Sequence, residues 1–224
     1  MPEITRAARI LVVIGHPLAD SLVHALASEY VAEASRTAEV HVVDLAVDPV
    51  PAHPVSRAEL RVGPDGDTSH LDPVVDGYVA DLLWADHVVM LHPQWWGTYP
   101  AVLKAWIDRV FLSGVAFRYR GKRGWDKLLT GRTARLVMTM DSPGWWNRLV
   151  YRDAAGVSLR RSVLAYVGIK TVGTTRFAAV RHVDARTREA WLGRMRRHAA
   201  DDVRRLGRSS TSTTRPPVTS RPLG

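Results

Sequence analysis

Two pairs of adjacent tryptophans, Trp95–Trp96 and Trp145–Trp146, stand in segments that read as turns or loops. Such places normally carry small or polar residues. Paired indoles there ask for something flat to lie against, an aromatic ligand or a partner's surface. Gln94 could hydrogen-bond the polar edge of a ring, and Gly144 would let backbone approach it closely. The competing reading packs one indole under the helix that follows and sets the other at a dimer contact. A second constellation is "GHPLADSLVHALA" (15–27). The unpaired amides at a helix start favour an anion, and Ser21 and His16 add a hydroxyl and a ring nitrogen that suit a phosphate. Equally, Ser21 could serve only as the helix cap. Asp20 must then point away or be neutralised. The spacing matches neither G-x-G-x-x-G nor G-x-x-x-x-G-K-[ST], so it names no nucleotide.

The chain offers little chemistry of its own. It has no cysteine, which excludes disulfides, thiol catalysis and cysteine-ligated metal. No G-x-S-x-G elbow or H-E-x-x-H helix occurs. The nine histidines show no metal spacing, and no metal is expected. His87 and His92 bracket an apolar strand and read as structural, while His182 and His198 read as surface or helix residues. Asp108, Asp141 and Asp153 form no evident acid–base couple. A site built this way suits a protein whose cofactor does the hard chemistry.

The positioning elements follow from periodicity. "ARILVVIG" (8–15), "VHVVD" (40–44), "DHVVMLHP" (86–93), "ARLVMTM" (134–140) and "IKTVGTTRF" (169–177) read as strands, mostly buried. Helices are expected over 21–35, 74–85, 99–112 with Pro100 in the first turn, and 158–166. A last helix begins at Trp191, with Leu192, Met195, Ala199, Val203 and Leu206 as its buried stripe. The segment 45–73, with five prolines, reads as a long loop with a helical turn near Arg57–Leu60, and "DSPGWWNR" (141–148) as a loop. Strand–helix alternation implies a parallel sheet with helices on both faces, an α/β three-layer fold. Ligands of such sheets bind beyond the carboxyl ends of the strands. The loops 15–21, 93–99 and 141–147 lie there.

With 224 residues the chain is most simply one domain, 1–206, followed by a Ser/Thr/Pro/Arg-rich tail, 207–224, expected to be disordered. No apolar run is long enough to span a membrane, and the start lacks a signal-peptide pattern, so a cytoplasmic address is expected. Of the net charge of +9, the tail supplies +3 and the segment 187–206 another +3. That basic helix and tail could meet an acidic partner or simply be solvated. No nucleic-acid-binding signature accompanies the charge, so no specific nucleic-acid partner is expected.

The segment "HPQWWGTYPAVLKAWIDRVFLSGVAFRY" (92–119) closely resembles the signature of the flavodoxin-like NAD(P)H:quinone oxidoreductases, the family of DT-diaphorase and the bacterial modulators of drug activity. A P-x-W-aromatic turn (Pro93, Trp95, Trp96), a P-A-x-L-K-x-W-x-[DE]-R-V-F helix and a G-x-A-[FY] segment all match. His16 to Ser21 is similar to the family's flavin-phosphate loop, and the likeness covers about residues 8–206. The resemblance implies a five-stranded flavodoxin-like sheet and a homodimer with the flavin near the subunit interface. It implies two-electron hydride transfer from NADH or NADPH, through bound FMN or FAD, to quinones or related aromatic acceptors by ping-pong kinetics. His16, Ser21 and Leu22 would hold the flavin phosphate. Pro93, Gln94, Trp95, Trp96 and Gly97 would embrace the isoalloxazine ring, with Thr139, Met140, Asp141 and Ser142 at its other edge. FMN is preferred to FAD because no adenosine-binding extension follows the sheet. The chain departs from the family at Asp141–Ser142–Pro143, which replaces a glycine pair. The tyrosine–histidine proton relay of some members has no clear counterpart, and Tyr151 is the one candidate. Arg118, Arg120, Lys122 and Arg123 could meet a 2′-phosphate or form a solvated loop. A flavodoxin-like electron carrier and a regulatory subunit of a transport system are the alternatives to an enzyme.

Overall fold

A computed structural model describes residues 6–48, 50–63, 65–122 and 124–210. Five parallel strands form its centre: β1 (Ala8–Ile14), β2 (Ala38–Asp44), β3 (His87–Pro93), β6 (Thr133–Thr139) and β7 (Lys170–Phe177). Their order is β2-β1-β3-β6-β7. The intervening β4 (Phe117–Tyr119) and β5 (Trp125–Lys127) make a separate antiparallel hairpin. The expected five-stranded doubly wound sheet is therefore present. The hairpin is an addition that two three-residue strands could not announce in the sequence.

Alternation along the strands builds the two cores. Ile10, Val12 and Ile14 of β1, with Val89, Leu91 and Val137, pack with Leu26, Tyr30, Met195 and Ala199. These last belong to α1 (Leu22–Ala34) and α7 (Ala185–Ser210), which pack against one another. Leu11 and Val13, with Val88, Met90, Leu136 and Met138, face the opposite side. There they meet α2 (Pro73–Trp84), α3 (Ala101–Val110) and one long helix. That helix comprises α5 (Ala154–Val157), a π-helical stretch Ser158–Leu164 and α6 (Ala165–Val167). Every β3 residue from His87 to Pro93 is buried, as a central strand covered on both faces must be.

Several boundaries differ from expectation. Residues 144–149 are not loop but a short helix, α4 (Gly144–Leu149), started by Pro143, whose fixed φ of −59° suits a helix entry. Pro100 is the N-cap of α3 rather than a first-turn residue. The last helix begins at Ala185, not Trp191, where Asp184 accepts from Thr187 N at 2.8 Å. It also runs through Ser210, past the expected end of the domain at 206. The rest of the expected tail, 211–224, lies outside the described residues. The long 45–73 segment is pinned to the body: Leu45 N donates to Ile14 O (3.1 Å), Tyr78 Oη to Asp48 O (3.0 Å), Arg109 to Glu59 (2.5 Å), and Val62 N to Ser113 O (2.8 Å). Its helical turn forms at Ala58–Leu60.

One buried ionic cluster fastens α7 to the sheet. Arg135 on β6 makes a two-pronged bond to Asp202 on α7, at 2.6 and 2.7 Å. Tyr30 Oη on α1 donates to the same carboxylate at 3.0 Å. His87 Nε2 lies 3.3 Å away without hydrogen-bond geometry, its Nδ1 being bonded to Thr133. Burial works to raise the Asp202 pKa, but the bonds from Arg135 and the approach of His87 outweigh it and hold the carboxyl far below its usual range.

Candidate functional site

The strand order turns at β1/β3: from β1 the chain goes outward to β2, then back across to β3. A crevice opens beyond the carboxyl ends of the strands at such a point, and in folds of this order it is the ligand-binding place. The parallel ladder carries the loops out side by side. Gly15 N bonds Leu91 O (2.7 Å), Gln94 N bonds Thr139 O (2.7 Å), and Met140 N bonds Phe177 O (2.8 Å). The three loops therefore leave neighbouring strands at the same edge of the sheet.

On one wall Ser21 caps α1, its Oγ accepting from His24 N at 3.4 Å. The same Oγ lies 2.7 Å from His24 Nδ1, and His24 Nε2 lies 3.1 Å from Asp44 Oδ1. The sequence gives one hint of this chain, the i, i+3 spacing of Ser21 and His24 in a first helical turn; Asp44 comes from β2 and is linked only by folding. With His24 N taken by the Ser21 cap, the amides of Leu22 and Val23 are the first-turn donors without an acceptor within the helix. His16 is clipped to its own turn, Nδ1 lying 3.0 Å from Leu18 N and 2.8 Å from Leu18 O. Burial lowers its pKa, against the opposing pull of the Leu18 carbonyl. Asp20 is exposed, on left-handed backbone with φ 57°. Leu22 joins the apolar cluster under α1.

The facing wall is a two-residue turn. Trp95 N donates to Thr98 O (2.9 Å) and Thr98 N returns the bond to Trp95 O (3.0 Å). Between them Trp96 (φ 52°) and Gly97 (φ 76°) both lie in the left-handed region, the signature of a type I′ turn. Glycine suits that place; tryptophan does not, at a cost of about 1–3 kcal/mol. Trp96 is nevertheless fully exposed and Trp95 43% exposed. Trp95 meets His16 of the first wall edge-on, with ring centroids 5.7 Å apart.

The third side is mixed. Thr139 and Met140 are buried, Met140 within the main core, and Asp141 is exposed and paired with Arg181 at 2.8 Å. Ser142 Oγ is buried with no hydrogen-bond partner. Buried polar atoms are normally satisfied, so this hydroxyl suits a polar ligand edge. Tyr151 stands over the turn: a Cβ on Gly97 would lie 3.8 Å from its ring. Trp146 touches Tyr151 edge-on at 6.4 Å and Trp145 at 5.5 Å, so α4 brings the second tryptophan pair to the same end of the sheet.

Sequence reading missed the polar support beneath this side. Gln94 Nε2 donates to Asn147 Oδ1 (2.7 Å), Asn147 Nδ2 to Asp153 Oδ1 (3.1 Å), and Arg176 grips Asp153 with two bonds, one of 2.7 Å from Nε. The basic hairpin, by contrast, is elsewhere. Arg120 pairs with Asp126, and Trp125 stacks on Tyr166 (4.5 Å), two residues before the Gly168 turn into β7. That is the amino-terminal end of the sheet, so Arg118, Arg120 and Lys122 stand away from this chain's own crevice; Arg123 lies outside the described residues.

A parallel sheet of this order is the architecture of the flavodoxin-like proteins. The model of the family described as "Flavodoxin-like fold" matches residues 8–199, and the chain belongs to that family. Among relatives, it is 33% identical over 106 residues to the ribosyldihydronicotinamide dehydrogenase-like protein traD of Penicillium crustosum, covering 42% of this chain and 39% of that protein. It is 30% identical over 132 residues to FMN-dependent NADH:quinone oxidoreductase 1 of Idiomarina loihiensis, covering 58% of this chain and 63% of that protein. The chain thus spans less than two thirds of each. The crystal structure of a putative quinone reductase from Klebsiella pneumoniae superposes with a TM-score of 0.75 at 21% identity, over 87% of this chain and 84% of that one, a likeness of fold.

Proposed function

We propose that this protein is a flavin-dependent NAD(P)H oxidoreductase, passing two electrons as hydride from a nicotinamide nucleotide, through FMN, to a quinone or related aromatic acceptor. The observation that carries the reading is the Trp95–Gly97 turn facing His16 and the start of α1 across the crevice. FMN is favoured over FAD by the relatives named FMN-dependent; the same names favour NADH over NADPH.

In this reading the first-turn amides of α1 and the ring of His16 meet the flavin phosphate, with Ser21 held beside them by His24. Pro93 to Gly97 bracket the ring, and Ser142 offers its unmet hydroxyl to the polar edge. The bound flavin supplies the electron-pair chemistry. The protein contributes orientation and exclusion of water, the usual share of a cofactor enzyme. With one open aromatic face, donor and acceptor bind in turn, which predicts parallel lines in double-reciprocal plots. Tyr151 over Gly97 is the side chain best placed to touch a stacked substrate. We further propose a homodimer: Trp96, Trp145, Leu149 and Tyr151 leave a partly exposed apolar surface at the site's rim.

The decisive experiment is the visible spectrum of the purified protein, identification of any flavin released on denaturation, and anaerobic addition of NADH and NADPH. Flavin bands that bleach with either nucleotide support the reading. Bound flavin without bleaching would point to an electron carrier, and a colourless protein that refuses FMN and FAD would overturn the flavin reading.

A further inference from the structure

The chain Gln94–Asn147–Asp153–Arg176 has a fixed polarity. At its far end stands an ionised carboxylate, which can only accept. Burial works to raise the Asp153 pKa, but the bonds from Arg176 and Asn147 prevail and lower it. Asn147, 1% exposed, must therefore turn its NH2 toward Asp153. Its carbonyl then faces Gln94, which must answer with its own NH2. What remains on this half-buried side chain, beside the Trp95–Gly97 turn, is Gln94 Oε1, an acceptor for which no donor stands among the described residues. An amide alone could present either end; here an ion pair two residues away decides.

The surroundings are shaped around the carboxylate. Arg152 (φ 49°) and Asp153 (φ 54°) are consecutive left-handed residues, a strained pair. A Cβ on Gly156 would lie 2.7 Å from Asp153 Oδ2, so a side chain there would push the carboxylate out of its present place. Asp153 N also donates to Asn147 O at 2.9 Å. Arg176 comes from the carboxyl end of β7 and completes the clamp.

We propose that Asn147 and Asp153, locked by Arg176, are positioning residues that set Gln94 as a hydrogen-bond acceptor, so that the crevice selects a planar ring bearing an N–H at its polar edge. Resting on the flavin reading, this assigns Gln94 Oε1 to the imide N3–H of the isoalloxazine. The segment 147–153 then serves recognition through fixed dipoles, with no proton moved along it.

The test compares equilibrium binding of FMN and 3-methyl-FMN, which lacks that N–H, by flavin fluorescence. The wild-type chain should prefer FMN by about tenfold, as one neutral hydrogen bond allows. In Asn147→Leu, which leaves the Asp153–Arg176 pair intact, the preference should fall to about threefold or less. The double variant Asp153→Asn/Arg176→Gln removes the fixed acceptor without leaving a lone charge and should do the same. It carries the test if Asn147→Leu fails to fold by circular dichroism. A preference that persists undiminished in the folded variants would show mere steric exclusion of the methyl group and overturn the proposal. So would a wild-type chain that binds both flavins equally. A wild-type chain that binds neither would overturn the flavin reading together with it.

Discussion

At the level of single residues, the Trp95–Gly97 turn departs from local backbone preference. Trp96 occupies a φ of 52°, where asparagine or glycine would rest without strain. Trp96→Asn should therefore keep the turn and raise stability by up to about 1 kcal/mol, read as a Tm increase of a few degrees. The same change should raise the KM for an aromatic acceptor severalfold if the exposed indole contacts it. Ser21 permits a cleaner separation of roles. Aspartate caps helices as well as serine, so Ser21→Asp should leave Tm nearly unchanged while adding a negative charge at the proposed flavin-phosphate site. Loss of FMN affinity by tenfold or more, with folding intact, is the expected result of equilibrium dialysis, and Trp95→Ala should also weaken retention. Full flavin content in both variants would move the site elsewhere.

Among the elements, α7 is held by more than its apolar stripe. Asp202 lies between Arg135 and Tyr30 in a dry interior, and removing one partner of such a pair strands the other's charge. Asp202→Ala should cost about 3–5 kcal/mol, measured by denaturant unfolding, and should loosen α7 from α1. Asp202→Asn should cost less, because Tyr30 and Arg135 keep an acceptor. Such a cluster hides from sequence reading because its members come from α1, β3, β6 and α7, far apart in the chain. The same reason explains α4. "DSPGWWNR" carries turn residues, so it reads as loop, yet Pro143 starts a helix whose Asn147 is drawn inward by Gln94 and Asp153.

For the molecule as a whole, stability should fall on mild acidification. His92 is wholly buried, and burial lowers its pKa from 6.5 to about 4 against the weaker pull of the Pro93 carbonyl. His198, bonded to Thr175, is lowered to about 4 by burial and by Arg135 and Arg194. The unfolded chain binds protons at these rings below about 6.5 and the folded chain does not. Their contribution is therefore complete above pH 6.5 and is lost as pH falls from 6.5 toward 4. His92 alone accounts for about 3 kcal/mol of that. Urea midpoints measured from pH 7.5 to 4.5 should decline, and His92→Phe or His92→Leu should flatten the decline. A flat profile in the wild type would show that His92 is solvated. Among the described residues no helix is long and apolar enough to cross a membrane.

The sequence by itself determined the sheet and its helices, because alternating Ile10–Ile14 and Leu11–Val13 leave one arrangement that buries both faces. It also singled out the segments His16–Ser21 and Pro93–Gly97 that face one another at the ends of β1 and β3, since those residues are contiguous and their spacing is the signal. Tertiary structure decided what contiguity cannot carry. It set the turn of Trp96 into left-handed backbone and the tie from Ser21 through His24 to Asp44. It removed the basic hairpin from the crevice, and it ran the polarity from Arg176 to Gln94. Each of these depends on groups brought together across strands, where a hydrogen bond or charge gains its meaning from burial and from the partner opposite, and no local pattern encodes that partner.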